Sequence, residues 1–249
     1  QYCGAIRELM EKKQVAAVVR KQDIPFLEEL CSRPDVFCVD LDQPFGRIGC
    51  VIMASGLGRR FGGGKLLAKL EGKPLIEWTL DATEGIFRRR IVVTRHREVE
   101  ALCREREVPA LLHNQPFRSD TIRLGLEALE KGAELLEACV FCPADQPLLR
   151  KETLASLALC ASGTKKGQEK ALIWRPAFGE KAGSPVLFPR RFFAELRALP
   201  KGQGGSCVIR SHPEAVRLLQ VRDPMELADV DTPEDLESMK SWKSSVRQR

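Results

Sequence analysis

The chain has 249 residues, 43% of them hydrophobic and 30% charged, with 19 Gly and 15 Pro. That is enough for one large domain or a domain with an appendage, and too apolar for intrinsic disorder. The net charge of +6, from 40 basic and 34 acidic residues, is compatible with small anionic substrates and too diffuse to imply nucleic acid. No apolar run approaches the roughly 20 residues that span a bilayer, and Gln1–Met10 mixes charges without an apolar stretch, so no membrane partner and a cytoplasmic location are expected.

In chain order, Val15–Val19, Ile24–Ser32 and Val36–Leu41 read as strand, helix and strand. This small βαβ unit over residues 1–47 cannot bury a core by itself, and its role is open. From Ile48 onward, apolar runs alternate with helical patterns, as in an α/β protein with a mostly parallel sheet. Strands are expected near Ile48–Ala54, Ile91–Thr94, Ala110–His113, Ala138–Cys142 and Leu172–Trp174. Helices fall near Leu75–Thr83, Glu98–Glu105, Thr121–Lys131 and Lys151–Ala161. The cluster Arg88-Arg-Arg90 reads as a solvated edge before a strand. The last third is less regular: a strand at Pro185–Phe188, a helix near Arg190–Leu199, a strand at Val216–Val221 and a final helix. That helix opens at Asp231-Thr-Pro-Glu-Asp, with a capping Asp or Thr, a first-turn Pro and acids at the positive end of the dipole. Residues 48–239 then form the main domain, and Lys240–Arg249 a basic, fraying tail.

Nine Cys residues, an odd number with scattered spacing, do not make a disulfide framework. Only Cys139 and Cys142 form a C-x-x-C. Inside an apolar run, with no second Cys or His pair, they read as small core residues rather than a redox or metal pair. His96, His113 and His212 are too dispersed for a metal cluster.

The strongest signal is the run Ile48-Gly-Cys-Val-Ile-Met-Ala-Ser-Gly-Leu-Gly-Arg-Arg-Phe-Gly-Gly-Gly-Lys65. A buried strand enters a glycine-rich loop with Arg59, Arg60 and Lys65 interleaved, a pattern suited to cradling phosphates at the carboxyl edge of a parallel sheet. The dinucleotide fingerprint fails because Phe61 stands where its third Gly belongs. The P-loop fails because Arg59 and Leu66 replace its first Gly and its Ser/Thr.

Met53–Lys65 resembles the A-A-G-x-G-x-R-M-G-x-x-K signature of MobA-like NTP transferases. Pro143-Ala-Asp-Gln-Pro-Leu148, Gly183-Ser-Pro185 and Asp229-Val-Asp-Thr-Pro-Glu-Asp-Leu236 resemble the molybdenum cofactor cytidylyltransferases among them, in order over residues 48–239. The resemblance implies a three-layer α/β/α, nucleotide-diphospho-sugar transferase-like (Rossmann-type) fold. It also implies transfer of CMP from CTP to a phosphorylated pterin acceptor with release of pyrophosphate, and handover of the product to a molybdoenzyme. It assigns Ala54, Ser55, Gly56, Gly58, Arg60 and Lys65 to the nucleotide, with Lys65, Arg60 and Asp145 catalytic. Asp145 and Asp231 would hold Mg²⁺. Ser119, Thr121 and Arg123 would face the base, and Gly183, Ser184 and Pro185 the acceptor.

Residue by residue, plainer roles stand beside these: Asp145 as a turn residue, Asp231 as an N-cap, and Ser119 and Thr121 as helix-start caps. Ala54-Ser55-Gly56 and Asp145-Gln-Pro147 depart from the A-G-G and D-M-P of guanylyl-transferring relatives, which favours CTP; a guanylyltransferase, or a transferase with another acceptor, is the alternative. Phe61 stands for the usual Met, and Gly202–Cys207 lacks the Asp and Arg expected near a pterin. A non-catalytic nucleotide-binding chaperone is the rival of another class, disfavoured because a pure binder has no need of both Lys65 and Asp145. Lys65, on a loop, is expected to tolerate replacement without loss of fold.

Overall fold

The computed structural model describes residues 45–132, 134–162 and 171–247, with the backbone of 16–19 and 37–40. The elements in order are β1 (Ala16–Val19), β2 (Phe37–Asp40), β3 (Phe45–Ala54), β4 (Lys69–Leu70), β5 (Lys73–Pro74), α1 (Leu75–Thr83), β6 (Phe87–Thr94), α2 (Arg97–Glu105) and β7 (Ala110–Leu112). There follow α3 (Arg118–Glu130), β8 (Ala138–Pro143), α4 (Lys151–Ser162), β9 (Ile173–Phe178), β10 (Lys181–Ala182), β11 (Val186–Pro189), α5 (Phe193–Arg197), α6 (Ser206–Ser211), β12 (Val216–Gln220) and α7 (Pro233–Arg247). β1 and β2 pair in parallel, where the sequence places two strands. The helix expected between them lies outside the described residues.

An eight-stranded sheet runs β10-β9-β11-β8-β3-β6-β7, with β12 also on β9. β3 pairs in parallel with both β6 and β8, and β6 with β7. β11 is antiparallel to β8 and β9, and β10 to β9, so the sheet is mostly parallel with a reversed pair. Along β3 the side chains alternate. Ile48, Cys50, Ile52 and Ala54 enter a core closed by α1, α2 and α4, while Val51 enters the opposite core with α3, α5 and α6. The period of two makes three layers from one strand. On the second face α3 seats closely because Gly125 has no side chain: a Cβ there would lie 2.5 and 2.8 Å from the Val51 methyl groups.

The same alternation settles the C-x-x-C pair. Three residues apart on a strand, Cys139 and Cys142 belong to opposite cores, and both are free and fully buried. Desolvation pushes both thiols well above their ordinary range.

Three expectations need correction. Arg89 and Arg90 lie inside β6 and are not simply solvated: Arg90 donates to Leu80 O at 2.6 Å, and Arg89 to Glu134 O at 2.6 Å and Gly46 O at 3.0 Å. Leu80 O is one of the last-turn carbonyls of α1, which an arginine satisfies while complementing the dipole. The helix expected at Arg190–Leu199 is a 3₁₀ turn followed by the short α5. The basic tail does not fray at Lys240, because α7 continues to Arg247 and Lys243 pairs with Glu71 at 2.9 Å and covers the Trp78 ring.

Candidate active site

β3, β6, β7 and β8 all end at one edge of the sheet, and the segments leaving them build the site. Beyond Ala54 the loop turns at Gly58, whose φ of +56° is left-handed and whose Cβ would sit 3.1 Å from the Lys65 Cβ. Only glycine meets both demands cheaply. The amides of Phe61 and Gly63 donate to Gly58 O at 3.0 and 3.1 Å, closing the loop on itself. Among the described residues, the amides of Gly56, Leu57 and Gly58 donate to no backbone acceptor, so the first half of the loop has main-chain donors that the fold does not use.

Lys65 follows the loop and is buried, 9% exposed. Its Nζ donates to Asp145 Oδ2 at 2.5 Å and lies 3.3 Å from Asp231 Oδ1. Asp145 leaves the end of β8, and its carbonyl accepts from Val230 N–H at 3.0 Å, which ties the two acidic segments together. The second oxygen of Asp231 pairs with Arg60 at 2.8 Å. Asp231 is not the cap of α7: Thr232 Oγ1 accepts from Asp235 N–H, while Asp235 Oδ2 accepts from the amides of Asp231 and Thr232. This reciprocal cap leaves the Asp231 carboxylate free to face Lys65. Asp229 stands beside the pair; desolvation, then the charges of Asp145 and Asp231, push its carboxyl up to about 6.

These groups border a cavity of about 450 Å³ lined by Ala54, Ser55, Gly56, Gly58, Arg60, Lys65, Thr121, Asp145 and Asp231, all picked out by the sequence. Ser119 is buried in the first turn of α3 and does not line it. Nor does Arg123, which pairs instead with Asp120 and Glu127. Thr121 Oγ1 is buried without a hydrogen-bond partner. Ser184 lines an adjoining cavity of about 160 Å³ that shares Met53, Arg118 and Pro143 with the first; Gly183 packs on Leu227, and Pro185 lines neither. Sequence reasoning missed Arg95 and Arg118, which bring the cavity's cations to five against two carboxylates. It also missed His96 and His113, whose Nε2 atoms lie 2.9 Å from Gly56 O and 2.8 Å from Ser55 Oγ. Position was the available signal: Arg95, His96 and His113 each come just after a parallel strand.

Among the described residues no group of three or more His, Cys, Asp or Glu could hold a metal. Two carboxylates from separate segments meeting at one edge still suit Mg²⁺, which takes one or two carboxylates and completes its shell with water and phosphate oxygens. The site can thus hold a polyanion against backbone donors and cations, with two acids placed for a divalent ion.

The chain is 32% identical over 107 residues to a protein of Bacillus licheniformis named "Probable molybdenum cofactor guanylyltransferase", covering 43% of this chain and 53% of that one. An Aquifex aeolicus protein of the same name is 31% identical over 106 residues, 42% of this chain and 49% of that one. The chain thus spans about half the length of these curated relatives. The fold matches crystal structures of Rv0371c from Mycobacterium tuberculosis H37Rv. One has a TM-score of 0.67 at 22% identity, over 79% of this chain and 99% of that one. The other, a manganese complex, has a TM-score of 0.63 at 21% identity, over 78% and 98%. The model of the MobA-like NTP transferase domain matches residues 50–216, the stretch that runs from β3 through the glycine loop to β12, and the chain belongs to that family.

Proposed function

We propose that this chain is a nucleotidyltransferase that moves a nucleoside monophosphate from a nucleoside triphosphate to the phosphate of a molybdopterin-type acceptor, releasing pyrophosphate. The observation that carries this reading is Lys65 Nζ held between Asp145 and Asp231 in the wall of a cavity whose lining includes five cations. An acceptor phosphate monoester has a second pKa of about 6 and is ionised at neutral pH, so the reaction needs no protein base. What it needs is charge stabilisation at the transferred phosphate and the departing pyrophosphate. The free amides of Gly56–Gly58 receive phosphate oxygens, Arg59 and Arg60 neutralise the outer phosphates, and Lys65 turns from the carboxylates to the α-phosphate.

Asp145 and Asp231 would hold a divalent ion, Mg²⁺, which when bound supplies positive charge between triphosphate and acceptor. That one related fold is known as a manganese complex supports a divalent ion. The base lies against Ser55 and Thr121, and the acceptor reaches the α-phosphate from the Ser184 cavity.

Ala54-Ser55-Gly56 and Asp145-Gln-Pro147 support CTP as donor. The names of the two curated relatives support GTP, the second reading. Handover of the product to a molybdoenzyme completes the proposal, with residues 1–47 an appended segment. Pyrophosphate release with CTP or GTP, Mg²⁺ and a molybdopterin acceptor tests donor and reaction together. Asp145→Asn should lower that release by about 10²–10³-fold, the usual cost of losing one preorganised charge-stabilising group. Full activity in this variant at ordinary Mg²⁺ would leave Asp145 a turn residue and the reading without its centre; nucleotide binding without turnover in the wild type would favour the chaperone.

A further inference from the structure

His113 leaves β7 with both ring nitrogens engaged. Gln115 N–H donates to Nδ1 at 3.2 Å, and Nε2 lies 2.8 Å from Ser55 Oγ. A ring nitrogen that accepts an amide proton carries none, so the neutral ring holds its proton on Nε2 and Ser55 Oγ accepts it. The Ser55 hydroxyl in turn donates to Val93 O at 3.0 Å. Every hydrogen in the chain Gln115–His113–Ser55–Val93 therefore has a fixed direction.

We propose that His113 is a positioning residue that acts through Ser55: it locks the hydroxyl hydrogen into the sheet, so that the cavity wall offers a lone pair to a base bearing an exocyclic amine. This rests on the nucleotide-binding reading above and deepens it. A hydroxyl has one donor and two acceptor sites. The donor goes to Val93, one lone pair to His113, and one remains at a residue that lines the cavity. The amine of cytosine or guanine donates to it; the C4 carbonyl of uracil cannot.

His96, at the exit of β6, pins the next residue differently. Gly56 O only accepts, so His96 Nε2–H donates, a bond that neutral and charged imidazole both make. Protonated His113 keeps its Nε2–H but would turn an Nδ1–H against the Gln115 amide, and relieving that clash of two donors swings the ring away from Ser55. The charged groups facing it are Arg95 beyond β6, with Asp120 and Arg123 on α3. Desolvation and then Arg95 hold its pKa below the ordinary histidine value, so the lock stands at neutral pH and opens in acid.

The test is isothermal titration of CTP, GTP and UTP with Mg²⁺ into wild type, His113→Ala, His113→Gln and Ser55→Ala, from about pH 5 to 8. Wild type should bind CTP or GTP about tenfold more tightly than UTP at neutral pH, roughly one hydrogen bond's worth, and lose that margin in acid. His113→Ala should lose the margin at every pH, with UTP affinity little changed. His113→Gln, whose amide can still donate to Ser55, should keep it without the acid limb. Ser55→Ala should match His113→Ala, and decides the matter if that variant does not fold. An unchanged margin and pH profile in folded His113→Ala or Ser55→Ala overturns the proposal and leaves the nucleotide reading standing. Failure of wild type to bind any of the three overturns both.

Discussion

Lys65→Ala should move two observables in opposite directions. In the wild type the ammonium lies 2.5 Å from one carboxylate oxygen and 3.3 Å from another. At an effective dielectric of roughly 20, these distances correspond to about 7 and about 5 kcal/mol of gross attraction. Most of that is offset by desolvating the ammonium, and the Asp231 side chain is 37% exposed, which screens its share. Truncating one member of a fully buried pair costs about 3–5 kcal/mol, so about 2–3 kcal/mol is expected here, or a fall in Tm of roughly 5–10 °C. Lys65 is thus a buried counter-ion and not a free loop lysine, and its replacement is expected to keep the fold at a cost in stability.

The same deletion leaves Asp145 without its ammonium partner and Asp231 with Arg60 alone, so a divalent ion no longer competes with an ammonium held between the two carboxylates. In thermal melts without nucleotide, Mg²⁺ should stabilise Lys65→Ala more than the wild type, by mass action on a tighter site. Pyrophosphate release should meanwhile fall by about 10²–10³-fold even at saturating Mg²⁺, because the charge at the α-phosphate is gone. If Mg²⁺ raised both melting temperatures equally, the carboxylates would not be the metal's ligands and Lys65 would be a structural counter-ion only.

Two further outcomes follow from the packing and the charges. Asp229, with its carboxyl raised to about 6, binds a proton more readily folded than unfolded, so its contribution to stability is present in acid and lost as pH rises from about 4 through 6. Asp229→Asn should remove that loss, and its Tm relative to wild type should climb over the same window; a constant difference would show that neither burial nor the neighbouring acids raise its carboxyl. Gly125→Ala sets helix propensity, about 1 kcal/mol in favour, against a Cβ forced to 2.5 Å from Val51, about 1–3 kcal/mol or more against. The melting temperature should fall, and a rise would mean that α3 can lift off the sheet at no cost.

The half of the sheet built from β8, β3, β6 and β7 is legible because its information is local. Ile48–Ala54 and Ala138–Cys142 are apolar runs that give way to Ser55-Gly56 and to Pro143, as doubly covered parallel strands do, and both fall inside strands of the structure. The half built from β10, β9, β11 and β12 is legible only in part: strands are expected at Leu172–Trp174, Pro185–Phe188 and Val216–Val221 and stand there, but their extent, order and direction are not in the sequence pattern. β9 carries Pro176 at its centre, a residue that argues against a strand, yet β9 pairs with β10, β11 and β12. What holds it is burial of Ile173 and Ala177 and a partner about forty positions downstream, neither visible in a short window. The strand at β11 is expected, but its reversal is hidden, since a four-residue apolar run shows no direction.

The site divides along the same line. Lys65 and Asp145 stand in compact motifs beside strand ends, so residue type and spacing alone expose them. His96, His113 and Arg95 become neighbours of the glycine loop only because β3, β6 and β7 lie side by side in that order, which brings three strand exits to one edge. Asp231 is the instructive intermediate. Asp-Thr-Pro-Glu-Asp contains two acids and a threonine, any of which can serve the start of a helix, and spacing cannot tell which one is spare. The geometry resolves it through accounting for donors. Asp235 and Thr232 satisfy the amides at the start of α7, so the Asp231 carboxylate has no capping duty and turns to Lys65 and Arg60. A cap fulfilled by its neighbours is what leaves this acid free to pair with Lys65 and Arg60.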